Sequence, residues 1–426
     1  MAEGGRRTDA TAETGRIVLL NDASRVRGGA TYLARRLAEE LAAKGTPVTF
    51  IAGDDGREAS PTGVDVLPLN CQRLEHATPS TALLSGIYNR DARDKIRCWI
   101  SQNDHPTTIY HLHNWAQALS TSVFDALRPV ADRTVIHAHD FFLACPNGAF
   151  FDYSRREPCA RKPLGADCLS TQCDKRNYAH KMWRVARQQV LNTRLRPFLD
   201  AAQFVTIYEP MQSYLRKGVA PRRMTSITNP VEPFGPTAVN PEAQRRFAYI
   251  GQIQSLKGVF EIAEAGRRAK APVDFFGDGP ARAELADRYP EHKFHGWTSR
   301  TKIGEVLQTV RACIAGTLSP EPFCLSAFEA LATGAPLIAS RAILGAPALE
   351  ASGGAETFDP TDVAGLADLL AALAGDDDRI ARLAAAARRS ASRNEDGRLG
   401  NTVEAWVDAH CALYGTMVED AERTAA

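Results

Sequence analysis

The chain has 426 residues, of which 44% are hydrophobic and 24% are charged, as in ordinary folded proteins rather than disordered ones. Lys and Arg number 51 and Asp and Glu number 50, so the net charge is only +1. This balance argues against a nucleic-acid-binding protein, which is normally net basic. The length leaves room for about two to three domains.

The lack of a recognisable secretory signal or membrane-spanning run, together with the cysteine usage, predicts a cytoplasmic protein. Residues 1–15 are polar, lack the apolar core of a secretory signal, and are expected to be disordered. No uncharged apolar run reaches the length of about 18 residues that a membrane-spanning helix needs. The nine cysteines are an odd number in a long chain, which does not fit the disulfide framework of a small secreted protein.

Short apolar runs alternate with helical patterns through two long segments of the chain. In the first segment, the patterns predict strands at 17–20, 48–52, 109–112 and 134–137 and a helix at 30–44. In the second, they predict strands at 247–250, 273–276, 312–315 and 337–340 and helices at 259–269, 280–289, 301–308 and 322–333. Such alternation favours parallel sheets covered by helices.

A proline-rich stretch separates the two segments. Residues 229–241 contain four prolines, which regular structure accommodates poorly, so we place an interdomain linker at 229–242. The expected domains are 16–228, with a cysteine-rich insertion at about 145–175, and 243–398, followed by a helix at 399–426 that packs back on the first domain. The predicted fold class is α/β, with two Rossmann-like domains facing across a cleft.

The segment 319–336 is the strongest candidate for a ligand site, because ligands of open parallel sheets bind where strands lead into helices. The backbone N–H groups of Phe323, Cys324 and Leu325 would begin the predicted helix and form an anion site. Glu321 and Glu329 would lie about 12 Å apart on a helix, a span that suits the two ends of a nucleotide sugar. The alternative is that Glu321 only complements the helix dipole and that Glu329 is solvated.

Five motifs follow one another along the chain. They are Ile-Thr-Asn-Pro-Val at 227–231, Tyr-Ile-Gly-Gln-Ile-Gln-Ser-Leu-Lys-Gly at 249–258, Phe-Phe-Gly-Asp-Gly-Pro at 275–280, Phe-His-Gly-Trp at 294–297, and Glu321-x7-Glu329 with its tail Ala-Thr-Gly-Ala-Pro. In this order they resemble the motifs of glycosyltransferase family 4, and the resemblance covers the chain from residue 17 onward. The resemblance implies the GT-B architecture, a nucleotide-sugar donor, retention of anomeric configuration and no cofactor or metal for catalysis.

The resemblance also implies roles for residues of the second domain. Glu321 would accept hydrogen bonds from sugar hydroxyls, Glu329 from the ribose, and Lys257 would contact the diphosphate. A fixed ammonium beside helix-start amides stabilises the charge that the leaving group gains. The alternative for Lys257 is an ordinary solvent-exposed lysine.

The remaining donor-site predictions are the amides of Phe323, Cys324 and Leu325 and the glycines of two loops. Gly277 and Gly279 belong to the Gly-Asp-Gly-Pro loop. Gln252 stands where the family usually has Arg, so it could bind a phosphate but adds no charge. Gly29 resembles the family's N-terminal glycine loop, where a residue without a side chain lets the backbone approach a ligand; an ordinary tight turn is the alternative.

Histidines end two predicted strands of the first domain. The resemblance places His139 at the reacting sugar, as a catalytic residue that positions a hydroxyl rather than as a general base. We expect His137 to lie on the opposite face of its strand and to be structural. His111, His113 and Asn114 are weaker candidates for the acceptor side.

Cys145, Cys159, Cys168 and Cys173 crowd into one irregular segment. Four thiols could hold a structural zinc ion, although their spacings lack the paired Cys-x2-Cys pattern that makes such predictions specific. Reduced buried thiols or one disulfide are the alternatives.

A basic stretch overlaps this segment. Residues 151–200 contain eleven Lys or Arg and five Asp or Glu, and 175–187 reads as a basic helix that carries Trp183. Such a helix could make peripheral contact with an anionic membrane that holds a lipid-linked acceptor, at its inner face. A solvated helix face is the alternative.

Together these patterns predict a retaining transferase that moves a hexose-type sugar from a UDP- or GDP-sugar. The expected acceptor is a glycan, a lipid-linked acceptor or a small molecule, in the biosynthesis of surface polysaccharide or glycoconjugates, with no nucleic-acid partner. The alternatives are a sugar-nucleotide epimerase or phosphorylase of the same architecture, or a non-catalytic nucleotide-sugar-binding protein.

Overall fold

The computed structural model describes residues 15–26, 28–57, 62–74, 76–238, 240–392 and 400–425. The expectation of disorder at the N-terminus falls outside these residues, apart from Gly15. The strands are β1 Arg16–Asn21, β2 Val48–Ala52, β3 Val64–Pro68, β4 Thr108–Leu112, β5 Thr134–Ala138, β6 Phe151–Asp152, β7 Glu157–Pro158, β8 Gln203–Thr206, β9 Arg223–Ser226, β10 Phe247–Ile250, β11 Val273–Phe276, β12 Lys293–Gly296, β13 Ala312–Ala315, β14 Leu337–Ser340 and β15 Ala355–Phe358.

The helices connect these strands. They are α1 Gly29–Ala43, α2 Pro79–Ser85, α3 Arg90–Asn103, α4 Ser122–Leu127, α5 Ala166–Ser170, α6 Tyr178–Ala201, α7 Met211–Leu215, α8 Val259–Ala269, α9 Arg282–Arg288, α10 Arg300–Leu307, α11 Leu325–Ala332, α12 Ala346–Ala351, α13 Val363–Gly375, α14 Asp377–Ser392 and α15 Val403–Ala425. None of these helices, within the described residues, combines the length and the apolar character that crossing a bilayer requires.

The chain divides into two compact units, and both are discontinuous in sequence. The first unit comprises residues 1–148, 161–227 and 404–426, and the second comprises 149–160 and 228–403. Residues 149–160, which the sequence patterns place in the first domain, therefore group with the second unit. The β6–β7 hairpin in this segment is attached there by Arg156, which donates hydrogen bonds to Ser255 and Glu261.

The first unit contains a seven-stranded parallel sheet in the order β3-β2-β1-β4-β5-β8-β9. The strands β1, β2, β4, β5 and β8 are buried along nearly their whole length, as expected for a parallel sheet covered on both faces. The four strands predicted in this half are confirmed, with β2 at the predicted bounds. Trp406 and Tyr414 of α15 are buried in this unit as well.

The second unit contains a six-stranded parallel sheet in the order β12-β11-β10-β13-β14-β15. Its four predicted strands and the helix α8 have the predicted bounds. One apolar core includes residues of β10, β11 and β13 with α8 and α13, among them Phe247, Phe275, Ile262 and Leu370. Two parallel Rossmann-like sheets of this kind make the GT-B architecture.

Candidate active site

Lys257 and Glu321 form the central polar pair of the second unit. Lys257 Nζ donates to Glu321 Oε1 at 2.5 Å. Burial opposes the charge on this lysine, but the carboxylate of Glu321 outweighs burial and raises the pKa of Lys257. The second oxygen, Oε2 of Glu321, is buried and has no hydrogen-bond partner among the described residues. The pair therefore presents a fixed ammonium and an acceptor oxygen for a donor hydroxyl, and Lys257 is not the solvent-exposed lysine of the alternative interpretation.

Backbone contacts hold both residues of this pair in place. Lys257 ends a short 3-10 helix, and the next residue, Gly258, has a φ of +69°. A Cβ atom on Gly258 would lie 1.6 Å from the carbonyl oxygen of Gly316, so only glycine permits this close approach. Glu321 is attached to the loop after β14, because its N–H donates to Ala342 O and its carbonyl accepts from Leu344 N.

The helix that follows Glu321 begins later than predicted. α11 starts at Leu325 with Cys324 as its N-cap, and the first bond of this turn runs from Ala327 N to Cys324 O. The prediction that Pro322 opens the helix is wrong, since residues 321–324 lie outside any helix and Glu321 forms a β-bridge with Ile343. The helical spacing of about 12 Å between the two glutamates therefore does not apply.

The amides at the start of α11 still form a potential anion site, which begins at Leu325, two residues later than predicted. The N–H groups of Leu325 and Ser326 precede the first intrahelical donor, Ala327 N, so they have no intrahelical acceptor, as at any helix N-terminus. Phe323 instead stacks on Phe328 with ring centroids 4.2 Å apart, which holds the residues before the helix against α11. Burial raises the pKa of Cys324 to about 12, so its side chain is a neutral thiol.

Glu329 is buried on α11 and is not the solvated residue of the alternative interpretation. Only 6% of its surface is exposed, and Arg300 Nη1 donates to Glu329 Oε1 at 2.7 Å. Burial raises the pKa of Glu329 to about 7, and Arg300 opposes this rise only in part. Arg300 also donates to Glu232 O and covers the Phe234 ring, so it links α11 to the segment 232–234.

The glycine loops of the second unit bring chain segments into close contact. Gly277 has a φ of +137°, and a Cβ atom there would lie 1.9 Å from Gly251 O. Gly279 likewise lies close to Ile253, since a Cβ atom on Gly279 would be 2.3 Å from Ile253 O. Gln252 lies between Gly251 and Ile253 and is exposed, and its side-chain oxygen accepts a hydrogen bond from Gln254 Nε2. The donor roles of Gln252, Gly277 and Gly279 stay predictions.

In the first unit, Asp22 organises the loop after β4. Its carboxylate is buried and accepts hydrogen bonds from the N–H groups of Gln117, Ala118 and Leu119 at 2.8–2.9 Å. A cavity of about 140 Å³ lies beside it, lined in part by His113, Asn114, His137 and His139. Asp22 is not among the residues predicted from the sequence, because its hydrogen-bond partners lie almost a hundred residues along the chain.

Gly29 is the first residue of α1 and is exposed. Gly28 before it is extended, and its carbonyl accepts the first intrahelical bond, from Tyr32 N. The glycine pair therefore leaves helix-start amides accessible, as a ligand-binding loop requires. The role of Gly29 in donor binding stays a prediction.

His139 lies in a cluster of histidines at the ends of β4 and β5. His139 Nε2 and His113 Nδ1 are 2.8 Å apart and share a hydrogen bond. Burial lowers the pKa of His139 to about 3, so its imidazole is neutral. The expectation that His137 occupies the opposite face is wrong: side chains two residues apart on a strand share a face, and His137 stacks on His139 at 4.4 Å. His111 is fully buried beneath.

The cysteine segment is divided between the units. Cys145, Cys168 and Cys173 belong to the first unit and Cys159 to the second. Within the first unit, Asn147 Nδ2 contacts Sγ of Cys173 at 3.7 Å, and Cys168 is buried. The zinc site of the four cysteines stays a prediction.

The basic helix is less exposed than its sequence indicates. Lys181 is buried and donates to the carbonyl oxygens of Cys168 and Thr171. Arg187 is buried with its guanidinium 4.9 Å from the Phe142 ring centroid, and Arg184 pairs with Asp174 at 2.6 Å. Three of the cations on α6 therefore stabilise the first unit rather than forming a solvated basic face.

This fold and the Lys257–Glu321 pair beside a helix start define a class: GT-B glycosyltransferases that use nucleotide-sugar donors. The chain belongs to glycosyltransferase family 4. Residues 27–233 match the family model "Glycosyltransferase Family 4", and residues 236–390 match "Glycosyl transferases group 1". It is therefore a retaining hexosyltransferase of this family, and such enzymes are typically metal-independent.

Solved structures share the fold across nearly the whole chain. Sucrose-phosphate synthase from Thermosynechococcus elongatus is 16% identical, with a TM-score of 0.68 over 94% of this chain and 98% of that one. HepE from Anabaena, solved with UDP, is 15% identical, with a TM-score of 0.63 over 94% and 100%. WaaG, a glycosyltransferase of lipopolysaccharide biosynthesis, is 12% identical, with a TM-score of 0.66 over 93% and 99%. A comparison with curated proteins gives no match.

Proposed function

We propose that the chain transfers a hexose from a UDP-sugar to a glycan, lipid-linked or small-molecule acceptor in the synthesis of a surface polysaccharide or glycoconjugate. The main support for a nucleotide-sugar donor is the carboxylate of Glu321. One of its oxygens accepts a hydrogen bond from Lys257, and the other is buried without a hydrogen-bond partner in the described part of the chain. A buried carboxylate oxygen without a partner is costly, and a sugar hydroxyl would satisfy it. The HepE structures with UDP and with UDP-glucose support UDP over GDP.

In this proposal the residues of the second unit act mainly by electrostatics. The ammonium of Lys257 and the amides that start α11 bind the diphosphate, whose negative charge grows as the glycosidic bond breaks. Glu321 holds the sugar and Glu329 the ribose hydroxyls. His139 contributes a neutral imidazole that positions the reacting sugar, as the resemblance implies.

The test separates sugar contact from diphosphate contact. Glu321→Gln keeps the shape of the side chain but removes its charge, so turnover is expected to fall about 10²–10³-fold, with UDP affinity nearly unchanged. Lys257→Met is expected to weaken UDP binding itself. The matched control is Glu305→Gln, since Glu305 is paired with Lys302 on the surface of the same unit.

Turnover is measured with a panel of UDP- and GDP-sugars and mixed acceptors, and UDP affinity by calorimetry. Unchanged turnover in Glu321→Gln would overturn the assignment of the site. Conversion of the donor without any acceptor product would favour the epimerase alternative, and phosphate-dependent release of a sugar phosphate would favour the phosphorylase. Donor binding without turnover under all conditions would favour the non-catalytic alternative.

A further inference from the structure

Five histidines of the first unit form one buried cluster. His111 and His113 come from the end of β4, His137 and His139 from the end of β5, and His410 from α15. Their rings are stacked or tilted against one another, with centroids 4.2 Å apart for His111 and His113 and 5.1 Å for His111 and His137. The residues within each strand are two apart, so the strand period places all four on one face of the sheet.

The cluster leaves several ring nitrogens without hydrogen bonds. Nε2 of His113, Nε2 of His137, Nδ1 of His139 and Nε2 of His410 are buried and have no partner within the described ranges. Buried polar atoms in proteins are nearly always paired, so the hydrogen-bonding capacity of this cluster is incomplete without a further group, and two of the unpaired nitrogens, on His113 and His137, belong to rings of the site proposed below. Among the residues that the structure describes, no carboxylate or other anion contacts these rings through hydrogen bonds or stacking.

The chemistry of the cluster suits a metal ion rather than an anion. His111, His113 and His137 are buried, and each ring offers a nitrogen lone pair when it is neutral. One ring nitrogen from each of the three lies within 4.8 Å of the others. Neutral imidazole is the ligand that Zn²⁺, Cu²⁺ and Ni²⁺ prefer, and Ca²⁺ and Mg²⁺ avoid it.

We propose that His111, His113 and His137 form a binding site for one divalent transition-metal ion of the zinc class, distinct from the donor site. The distance between His111 Nε2 and His137 Nδ1 is 3.1 Å. Two nitrogens bound tetrahedrally to zinc, each at about 2.0–2.1 Å, lie about 3.3 Å apart, so a small adjustment makes this pair neighbouring ligands. Binding replaces the hydrogen bond that the two rings now share, and the proton on Nδ1 of His137 moves to Nε2 of the same ring, which has no partner among the described residues.

Neighbouring groups already orient the proposed ligands. His111 Nδ1 and the Tyr414 hydroxyl are 2.7 Å apart, so this bond can fix the tautomer that leaves Nε2 of His111 for the ion. His113 and His137 line the cavity beside Asp22, which provides the path of entry. The site joins β4 and β5, and through Tyr414 it also involves α15.

The first experiment uses untagged full-length protein, stripped with a chelator and titrated with Co²⁺ and then Zn²⁺. We expect about one ion per chain, with visible ligand-field bands of a nitrogen site and no thiolate charge-transfer band. Absence of Co²⁺ binding, or a spectrum dominated by thiolate that disappears in Cys159→Ser, would overturn the proposal. The second outcome would assign the ion to the cysteine segment.

The second experiment compares variants by metal affinity and by metal content after expression. His137→Asn and His113→Asn are expected to lose the ion, whereas His105→Asn, the same change at an exposed histidine of the same unit, should retain it. Tyr414→Phe keeps the ring but removes the hydroxyl, so it should weaken binding about 10–100-fold without unfolding the unit. Retention of the ion in His137→Asn, or unchanged affinity in Tyr414→Phe, would contradict the assigned ligands. The readout is independent of sugar transfer.

Discussion

Glu329 shows how burial changes the chemistry of a single residue. Its carboxylate lies inside the second unit, where Arg300 is its hydrogen-bond donor, and its pKa is raised to about 7 by burial. The group therefore changes its protonation state near neutral pH, whereas an exposed glutamate is fully ionised there. In the role proposed for Glu329 at the ribose, the carboxylate accepts hydrogen bonds with full strength only when it is ionised, so its protonation would oppose donor binding.

Stability should depend on pH through this residue. The pKa of Glu329 is higher in the folded state than its ordinary value of 4.5, so the folded state binds the proton more tightly. The free energy of unfolding therefore falls as pH rises from about 4.5 to about 7, by up to about 3 kcal/mol. In Glu329→Gln this loss disappears, so the difference in thermal midpoint between variant and wild type should grow with pH.

The measurement is thermal unfolding of both proteins from about pH 5 to about pH 8. Glu305→Gln, at an exposed pair, should follow the wild type throughout. A constant difference between Glu329→Gln and the wild type across this range would contradict the raised pKa.

At the level of elements, the loop between β10 and α8 depends on one close backbone approach. Gly258→Ala is expected to destabilise the second unit by about 3 kcal/mol or more, because it adds both a clash with Gly316 O and an unfavourable φ. It should also weaken UDP binding, since Lys257 is adjacent. Gly45→Ala is the matched control and should cost only about 1–2 kcal/mol, because Gly45 has a φ of +85° and a Cβ atom there would meet no described atom within 4 Å.

Urea unfolding and UDP calorimetry measure the two effects. Equal losses of stability in the two alanine variants would show that the close approach to Gly316 O contributes nothing. Normal UDP affinity in a folded Gly258→Ala protein would show that the position of Lys257 does not depend on the backbone conformation of Gly258.

The helix α15 contributes a large buried side chain to the first unit. Trp406 is fully buried, so Trp406→Ala is expected to cost about 3–5 kcal/mol. Thr416→Ala, at an exposed position on the same helix, should be nearly neutral. Circular dichroism during urea unfolding checks both, and a loss below about 1 kcal/mol for Trp406→Ala would contradict the packing of α15.

The sequence predicted the regular elements better than the contacts between them. Buried parallel strands such as β10 and β13 are continuous apolar runs, which local pattern reveals. Strands such as β9 and β12 have the same length but are partly exposed, and have no such pattern. Lys257 and Glu321 could be found because they belong to motifs, whereas Arg300 could not, since its pairing with Glu329 arises only from the fold.

A contact distant in sequence also explains why α11 begins at Leu325 rather than at Pro322. Proline fits the first turn of a helix, which favoured a start at Pro322. The fold instead uses Glu321 in an extended bridge to Ile343, and this pairing with the loop after β14 outweighs the local preference. Local propensity is a weak guide wherever a segment has a partner distant in sequence.

For the whole molecule, net charge is nearly zero, so any membrane contact must come from a local surface. Leu83 and Leu84 are 55% and 73% exposed on α2, and Trp183 of α6 donates to Leu83 O. Tyr178 and Met182 of α6 are exposed as well. We expect the protein to float with anionic vesicles and the double change Leu83→Ser and Leu84→Ser to lower the bound fraction severalfold.

Flotation with neutral vesicles and the variant Trp297→Ser are the controls, since Trp297 is exposed in the second unit. Equal flotation of the wild type and the double variant, or indifference to lipid charge, would contradict membrane contact through this surface. A soluble acceptor would then be favoured over a lipid-linked one.

The first unit is completed by residues 404–426, and this has a consequence for synthesis on the ribosome. At about 5–20 residues per second, translation of residues 228–403 takes about 10–35 s, during which the nascent first unit lacks α15. The apolar surface that Trp406 and Tyr414 later cover is accessible to chaperones for that time. The second unit, although encoded later, can close first, and a fragment that stops at residue 227 would retain the exposed surface permanently.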